Sequence, residues 1–209
     1  MKKSLPVLAG PVPEGKARLI DAAVRLAARD GRAVSSLGLR ELAREAGLNH
    51  NTFYRHFGSI EELGRFAAER VALRLMTELK KIRSKVADPV EATIRTTEYF
   101  LDFVRDHPET IVVGLRELHS RDSAMRRILQ HAMNDIAVNR ADQLAGLNLF
   151  GGMDRDTLLQ ATRATTYYSF YRALDYIEHP RQRRRIRDDI VGFIHAQFLG
   201  RIALKNLGA

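Results

Sequence analysis

LGLRELAREAGLNHNTFYRHF, residues 37–57, decides how the rest of this 209-residue chain is read. Leu39, Leu42, Ala43 and Ala46 recur at helical spacing and give a short helix over 39–46 one apolar side. Gly47 offers a backbone free to turn, and Leu48 is placed to plug the space between two helices. Asn49 is a good N-cap for a second helix, His50 to Phe57. Phe53 and Phe57 face inward together, which leaves His50, Asn51, Thr52, Tyr54, Arg55 and His56 to face outward or sideways. A purely structural helix rarely gathers so many donors on one short surface. A helix of this kind, held clear of the body by its partner, fits the major groove of DNA.

Outward from this pair the chain shows only helical periodicity, punctuated by caps. Residues 1–15, with three prolines and two glycines, have the composition of a disordered arm. A first helix is expected from Lys16 to Asp30, with Gly31 as its left-handed stop. Ser59 and Glu62 have capping-box spacing at the start of a long fourth helix reaching Lys85. Asp88-Pro89-Val90-Glu91 is a start signal for a fifth, with Val90, Ile94, Thr97, Leu101 and Val104 as its apolar stripe. His107-Pro108 begins a sixth helix, ending near His119. A seventh runs from Asp122 to Leu147 and stops before Gly151-Gly152. Asp154 caps an eighth that reaches Glu178, and a ninth follows His179-Pro180. No segment alternates as a strand would. The expected fold is therefore all-α, about nine helices, with a helix-turn-helix domain over 16–60 and a helical bundle over 61–209.

Charge supports an interface at the amino end. Residues 1–85 hold 17 Lys and Arg against 9 Asp and Glu, whereas residues 86–209 hold 17 against 16. The excess of +9 thus sits almost wholly with the helix pair, as a phosphate-facing end requires. A merely basic, soluble surface is the plainer account of the same numbers. The absence of cysteine excludes disulfides and thiolate zinc sites. No apolar run is long enough to span a bilayer and no signal segment is evident, so the expectation is a cytoplasmic protein without a membrane partner.

Catalytic signatures are missing. The seven histidines form no HExxH or similar metal spacing, and neither GxSxG nor a Gly-rich phosphate loop occurs. The acid pairs Asp154/Asp156 and Asp188/Asp189 suit caps and helix surfaces. The reading is a non-enzyme with no cofactor and no metal. A helical enzyme or an interaction adaptor without DNA binding is the alternative from another class.

AREAGL, then FYRHF, then a long helix opening with EEL resembles the DNA-binding domain of the tetracycline-repressor (TetR) family over about residues 16–75. That resemblance implies a homodimeric repressor on a palindromic operator, with a divergent C-terminal bundle that binds a small apolar or amphipathic effector. It implies DNA contacts at Arg40, early in the first short helix, and at His50, Asn51 and Thr52, where base edges are met. Tyr54 and His56 match phosphate-gripping positions, and Asn49 and Arg55 lie beside them. The side-chain chemistry agrees, since Arg forks onto guanine, Asn onto adenine, and Thr touches a thymine methyl. Two positions depart from the pattern. Gly38 stands where relatives commonly cap with Ser or Thr, leaving Glu41 to complete half a capping box. Gly58 stands near a usual phosphate-binding lysine, whose contact is then either absent or supplied by Arg65.

The segments SLGLRELAREAGLNHNTFYRHFGSIEELG and HPETIVVGLRELHSRDSAMRRIL are similar to the subgroup that represses unsaturated fatty-acid synthesis, which implies a fatty acid or acyl-CoA effector. Regulators of efflux or catabolism with an unrelated apolar ligand share the fold, so the resemblance leaves that alternative open. Candidate lining groups are Phe100, Phe103, Val104, Val112, Leu115 and Arg116, with Tyr167, Tyr168 and Phe170; for the apolar ones, ordinary core is the plainer role. Arg116 would need a carboxylate, such as Glu117 or Glu109, or an anionic ligand. The eighth and ninth helices are the dimer candidates, the ninth offering a face through Ile190, Phe193, Ile194, Gln197 and Phe198, with the small Gly192, Ala196 and Gly200 permitting close approach. A two-fold pairing there would set two recognition helices about 34–36 Å apart. The run Arg181 to Arg187 reads as a solvated helix start.

Overall fold

The structure, a computed structural model, describes residues 8, 10–120, 125–146 and 153–206, and the side chains of 204–206 are outside the description. Nine α-helices and two short 3-10 turns make up the regular structure of these residues, without a strand. The helices are α1 (Glu14–Asp30), α2 (Leu39–Glu45), α3 (His50–Tyr54), α4 (Ile60–Lys85), α5 (Pro89–Asp106), α6 (Pro108–His119), α7 (Met125–Gly146), α8 (Arg155–Glu178) and α9 (Arg183–Asn206). Most of the expected arm, together with Asp122, Leu147 and Gly151-Gly152, lies outside the described residues.

Local signals account for the helix ends. Gly31 closes α1 at φ 66°, a conformation costly for any side chain with a Cβ. Ser59 Oγ accepts from the Glu62 amide at 3.1 Å, and Glu62 Oε2 reaches back to the Gly58 amide at 2.7 Å. This is a capping box displaced by one residue. Asp88 takes the amides of Val90 and Glu91, and Asp154 takes those of Thr157 together with its hydroxyl. These bonds stabilise the Asp154 carboxylate and hold its pKa below the usual range.

The chain forms two compact units that do not follow a single cut: residues 1–74 with 107–132, and residues 75–106 with 133–209. In the first, α1 contributes Leu19, Ile20, Ala23, Leu26 and Ala27 to a core shared with Leu42, Phe53, Phe57 and Leu63. Helix α6 belongs to this unit, and two adjacent side chains fasten it. Arg116 Nη1 donates to the Ala27 carbonyl at 2.9 Å, and the buried Glu117 accepts from the Val34 amide. The described partner of Arg116 is a helix-end carbonyl 89 residues away in sequence, in place of the expected Glu117 or Glu109 carboxylate. Gly64 brings the α4 backbone against the Met125 side chain, where a Cβ would lie 2.4 Å from its sulfur.

Glu117→Ala would strand a buried amide, and the expected cost is about 1–3 kcal/mol. The urea midpoint should fall accordingly, while Glu117→Gln, which keeps an acceptor oxygen, should recover most of it.

In the second unit α5, α8 and α9 pack together. Phe100 meets Phe170 edge to face at 5.0 Å, and Tyr168 stacks on Phe193 at 4.0 Å. Val90 departs from the expected α5 stripe: it is 50% exposed, and Ala92, Thr96 and Phe100 join Thr97, Leu101 and Val104 in its place.

Candidate nucleic-acid interface and bundle cavity

The turn between α2 and α3 is built by a Schellman closure. The Leu48 amide donates to Ala43 O and the Gly47 amide to Arg44 O, with Gly47 at φ 63°. Arg18 of α1 clamps the outside of the turn, its Nε on Ala46 O at 3.0 Å and its Nη2 on Gly47 O at 2.9 Å. A Cβ on Gly47 would lie 2.6 Å from Arg18 Nη2. Gly47→Ala therefore meets two obstacles, a left-handed backbone and the clamp. We expect a loss of roughly 1–2 kcal/mol from the backbone alone, measurable as a lower thermal midpoint; Arg18→Ala should relieve part of the Gly47→Ala defect in a double-mutant cycle.

Helix α3 starts where Asn49 Oδ1 accepts from the Asn51 amide at 2.9 Å. Its regular part ends at Tyr54, three residues short of the expected end, and Arg55 follows as its C-cap. Phe53 and Phe57 are buried, their centroids 6.0 Å apart, and Phe66 of α4 continues the stack. Asn51, Tyr54 and Arg55 are exposed and His50 is half-buried. The Tyr54 ring, 56% exposed, is braced edge-on by His50 and Phe53. Arg40 is exposed on α2.

Three residues of the expected set are placed differently from an outward reader. Asn49 is exposed but spends its side-chain oxygen on the cap. Thr52 is buried, and its Oγ1 accepts from Arg55 Nη2 at 3.1 Å, so it steadies a neighbour instead of facing outward. The reason is geometric: Thr52 stands beside Phe53 on the side of a one-turn helix turned to the core. His56 is half-buried and lies over the first turn of α1, where a Cβ on Gly15 would come within 2.3 Å of its Nε2. That turn has no side-chain cap, and its free amides favour an anion.

Around the pair, Glu41 accepts from Arg32, which also meets Asp30. The guanidinium of Arg32 holds the Glu41 carboxyl below its ordinary pKa, helped by the Gly38 amide. A family lysine near Gly58 has no counterpart, and Arg65 is exposed on α4.

The second unit holds a cavity of about 60 Å³ whose lining includes Phe100, Phe170, Asn139, Arg83 and Arg140. Of the residues expected to line a pocket, Phe100 and Phe170 do. Phe103 and Val104 are buried elsewhere in the core, and Tyr167 is exposed. Tyr168 stacks on Phe193 while its hydroxyl accepts from Arg172. Val112, Leu115 and Arg116 belong to the first unit. Sequence reasoning missed Arg83 and Arg140, because cations on long helices read as solvated. Burial, helped by the Arg140 charge, lowers Arg83 to about 9, and burial lowers Arg140 to about 10.

The expected dimer face also divides. Ile190, Ile194 and Phe198 are buried within the chain's own bundle, Ile194 also lining the cavity, while Phe193 and Gln197 are half-buried. The outward stripe of α9 carries Gly192, Ala196, Leu199 and Gly200. No helix among the described residues is long and apolar enough to cross a membrane.

Comparison with known proteins places this geometry. Residues 19–65 match the family model described as bacterial regulatory proteins, tetR family. Among solved structures, the fatty acid degradation regulator FadR from Bacillus halodurans superposes with a TM-score of 0.74 at 13% identity, over 90% of this chain and 97% of that one. Thermus thermophilus FadR, a TetR-family repressor solved with lauroyl-CoA, gives 0.61 at 18% identity over 87% and 92%. A tetR-family transcriptional regulator from Streptomyces coelicolor gives 0.64 at 18% over 94% and 85%. At such identities the likeness is one of fold.

Proposed function

We propose that this chain, a transcriptional regulator of the tetR family, is a homodimeric repressor that reads a palindromic operator through α3 and releases or grips it under control of a small ligand in its C-terminal bundle. The observation that carries the reading is the exposed Asn51, Tyr54 and Arg55, with the half-buried His50 beside them, on and at the end of a capped, core-anchored helix next to a clamped turn. Asn51 and His50 are assigned to base edges. Tyr54, Arg55, Arg40 and His56 are assigned to phosphates, His56 together with the uncapped first turn of α1. Asn49 and Thr52 act indirectly, through the cap and through Arg55.

Mobility shift on the protein's own promoter region tests this. Tyr54→Phe and His56→Ala should weaken binding to all sequences alike, because phosphate contacts position without reading. Asn51→Ala should cost about 1–3 kcal/mol of discrimination between cognate and altered operators. Equal loss on cognate and scrambled DNA would overturn the Asn51 assignment. Binding should fall steeply with added salt; binding that ignores salt would favour an adaptor or an enzyme.

The effector reading is a fatty acid or acyl-CoA, supported by the two sequence segments similar to the fatty-acid subgroup and by the fold shared with two fatty-acid regulators. Titrating acyl-CoAs of differing saturation while following operator retention tests it. Unchanged affinity with every one of them would leave a regulator of efflux or catabolism with an unrelated ligand.

Dimerisation is assigned to the outward stripe of α9, where Gly192, Ala196 and Gly200 allow close helix approach and Leu199 supplies apolar area. Cytoplasmic residence follows from the regulator reading.

A further inference from the structure

The bundle cavity contains a chemical imbalance that its own residues leave uncorrected. Two guanidinium groups, Arg83 and Arg140, line it, and no Asp or Glu is among the lining residues. Arg83 Nε is held by the Gln143 side-chain oxygen at 2.6 Å. Arg140 reaches the Thr165 hydroxyl at 3.4 Å and lies over the Phe198 ring at 5.6 Å, but its Nε is buried without a hydrogen-bond partner among the described residues. Nearby hydroxyls supply no negative charge: Thr96 and Ser169 give their protons to carbonyls of their own helices. Asn139 Oδ1 is also buried without a partner among the described residues.

Two like charges on half-buried side chains, with no counter-ion among the described residues, cost stability. Burial lowers the proton affinity of both groups, and Arg83 loses more to the neighbouring Arg140 charge. No carboxylate of the described residues offsets either shift. A chain that keeps such a pair beside Phe100 and Phe170 has the donors for an oxyanion and the surface for an apolar body, in one place.

We propose that Arg83 and Arg140 together bind the oxyanion of an amphipathic ligand in the α4–α5–α7–α8 cavity, with Phe100 and Phe170 against its apolar part. This rests on the reading that the bundle holds an effector, and it narrows that effector to an anion whose charged end enters the protein. A cavity of about 60 Å³ receives the charged end and its first carbons; a longer chain must leave through the mouth or part the helices. Asn139 accepts a hydrogen bond from a ligand that carries a donor next to its oxyanion.

The test uses the full-length protein and measures thermal midpoint and calorimetric binding with butyrate, octanoate and octyl phosphate, against octan-1-ol and octylamine. An oxyanion should raise the midpoint saturably, whereas the alcohol and the amine should bind at least tenfold more weakly. The comparison of octanoate with octyl phosphate tells a carboxylate site from a phosphate site. Arg83→Gln and Arg140→Gln should each reduce oxyanion affinity at least tenfold and leave octan-1-ol unaffected. Arg140→Met should raise the midpoint of the ligand-free protein while abolishing the oxyanion response, which an arginine of purely structural use would not do. Equal binding of octan-1-ol and the oxyanions by the unaltered protein overturns the proposal, as does undiminished oxyanion affinity in both glutamine variants.

Operator retention measured in parallel separates the two readings. Arginine-dependent oxyanion binding with unaltered DNA retention keeps the site and removes the effector role. Operator binding in a protein that takes no oxyanion removes the site alone.

Discussion

Phe53→Ala should cost about 3–5 kcal/mol and dissolve helix α3 along with its supporting core. Phe53 has no exposed surface, packs against Phe57, and braces Tyr54 edge-on at 5.7 Å. Helix α3 spans His50–Tyr54, a single turn, far too short to persist on its own. Its conformation is therefore held by the Asn49 cap, the Schellman closure at Gly47 and the two buried rings. Urea unfolding followed by circular dichroism should show the midpoint shift, and operator binding should vanish with it. A shift below about 1 kcal/mol would contradict the packing described, since that is the scale of an ordinary surface substitution or a single methyl.

Ile190→Ala should cost about 2–5 kcal/mol, and by an amount that does not change with protein concentration. Ile190 is 0% exposed within one chain and belongs to the row Ile186, Ile190, Ile194 and Phe198 that α9 buries in its own bundle. A residue at a subunit boundary behaves differently, because loss of association makes stability depend on concentration. Leu199, 64% exposed, is the contrasting position. Leu199→Glu should leave a dilute subunit within about 0.5 kcal/mol of its original stability while weakening self-association in sedimentation. A concentration-dependent effect at Ile190 with none at Leu199 would restore the inward row as the dimer face.

These positions show what a sequence reveals and what it hides. Caps were legible because their chemistry is local: Asn49, Asp88, Asp154, Gly31 and Gly47 each act within a few residues, and each occupies the role its side chain or its lack of one suggests. Phe53 and Phe57 were legible because two aromatics four apart in a polar segment have one sensible side. The failures are all matters of tertiary choice. Helix α9 has apolar or small residues on two stripes, and periodicity cannot say which one its own chain covers. Thr52 is polar by composition yet turned inward beside Phe53. Arg116 finds its partner at the Ala27 carbonyl, on a helix 89 residues earlier in sequence. Arg83 and Arg140 sit on long helices with weak amphipathic character, where burial of a charge leaves no trace in the pattern.

On the proposed reading, a one-turn α3 also limits how much of an operator it can inspect. Five residues advance about 7.5 Å along the helix axis, little more than two steps of a duplex rising about 3.4 Å per pair. With the proposed His50 and Asn51 as its vocabulary, one subunit would store few letters of an address, and a genome offers many chance copies of so short a word. Selectivity would then come from repeating the word at a fixed interval on the opposite strand. A duplicated gene could drift to new targets through one or two substitutions at those positions, with the buried scaffold beneath them untouched.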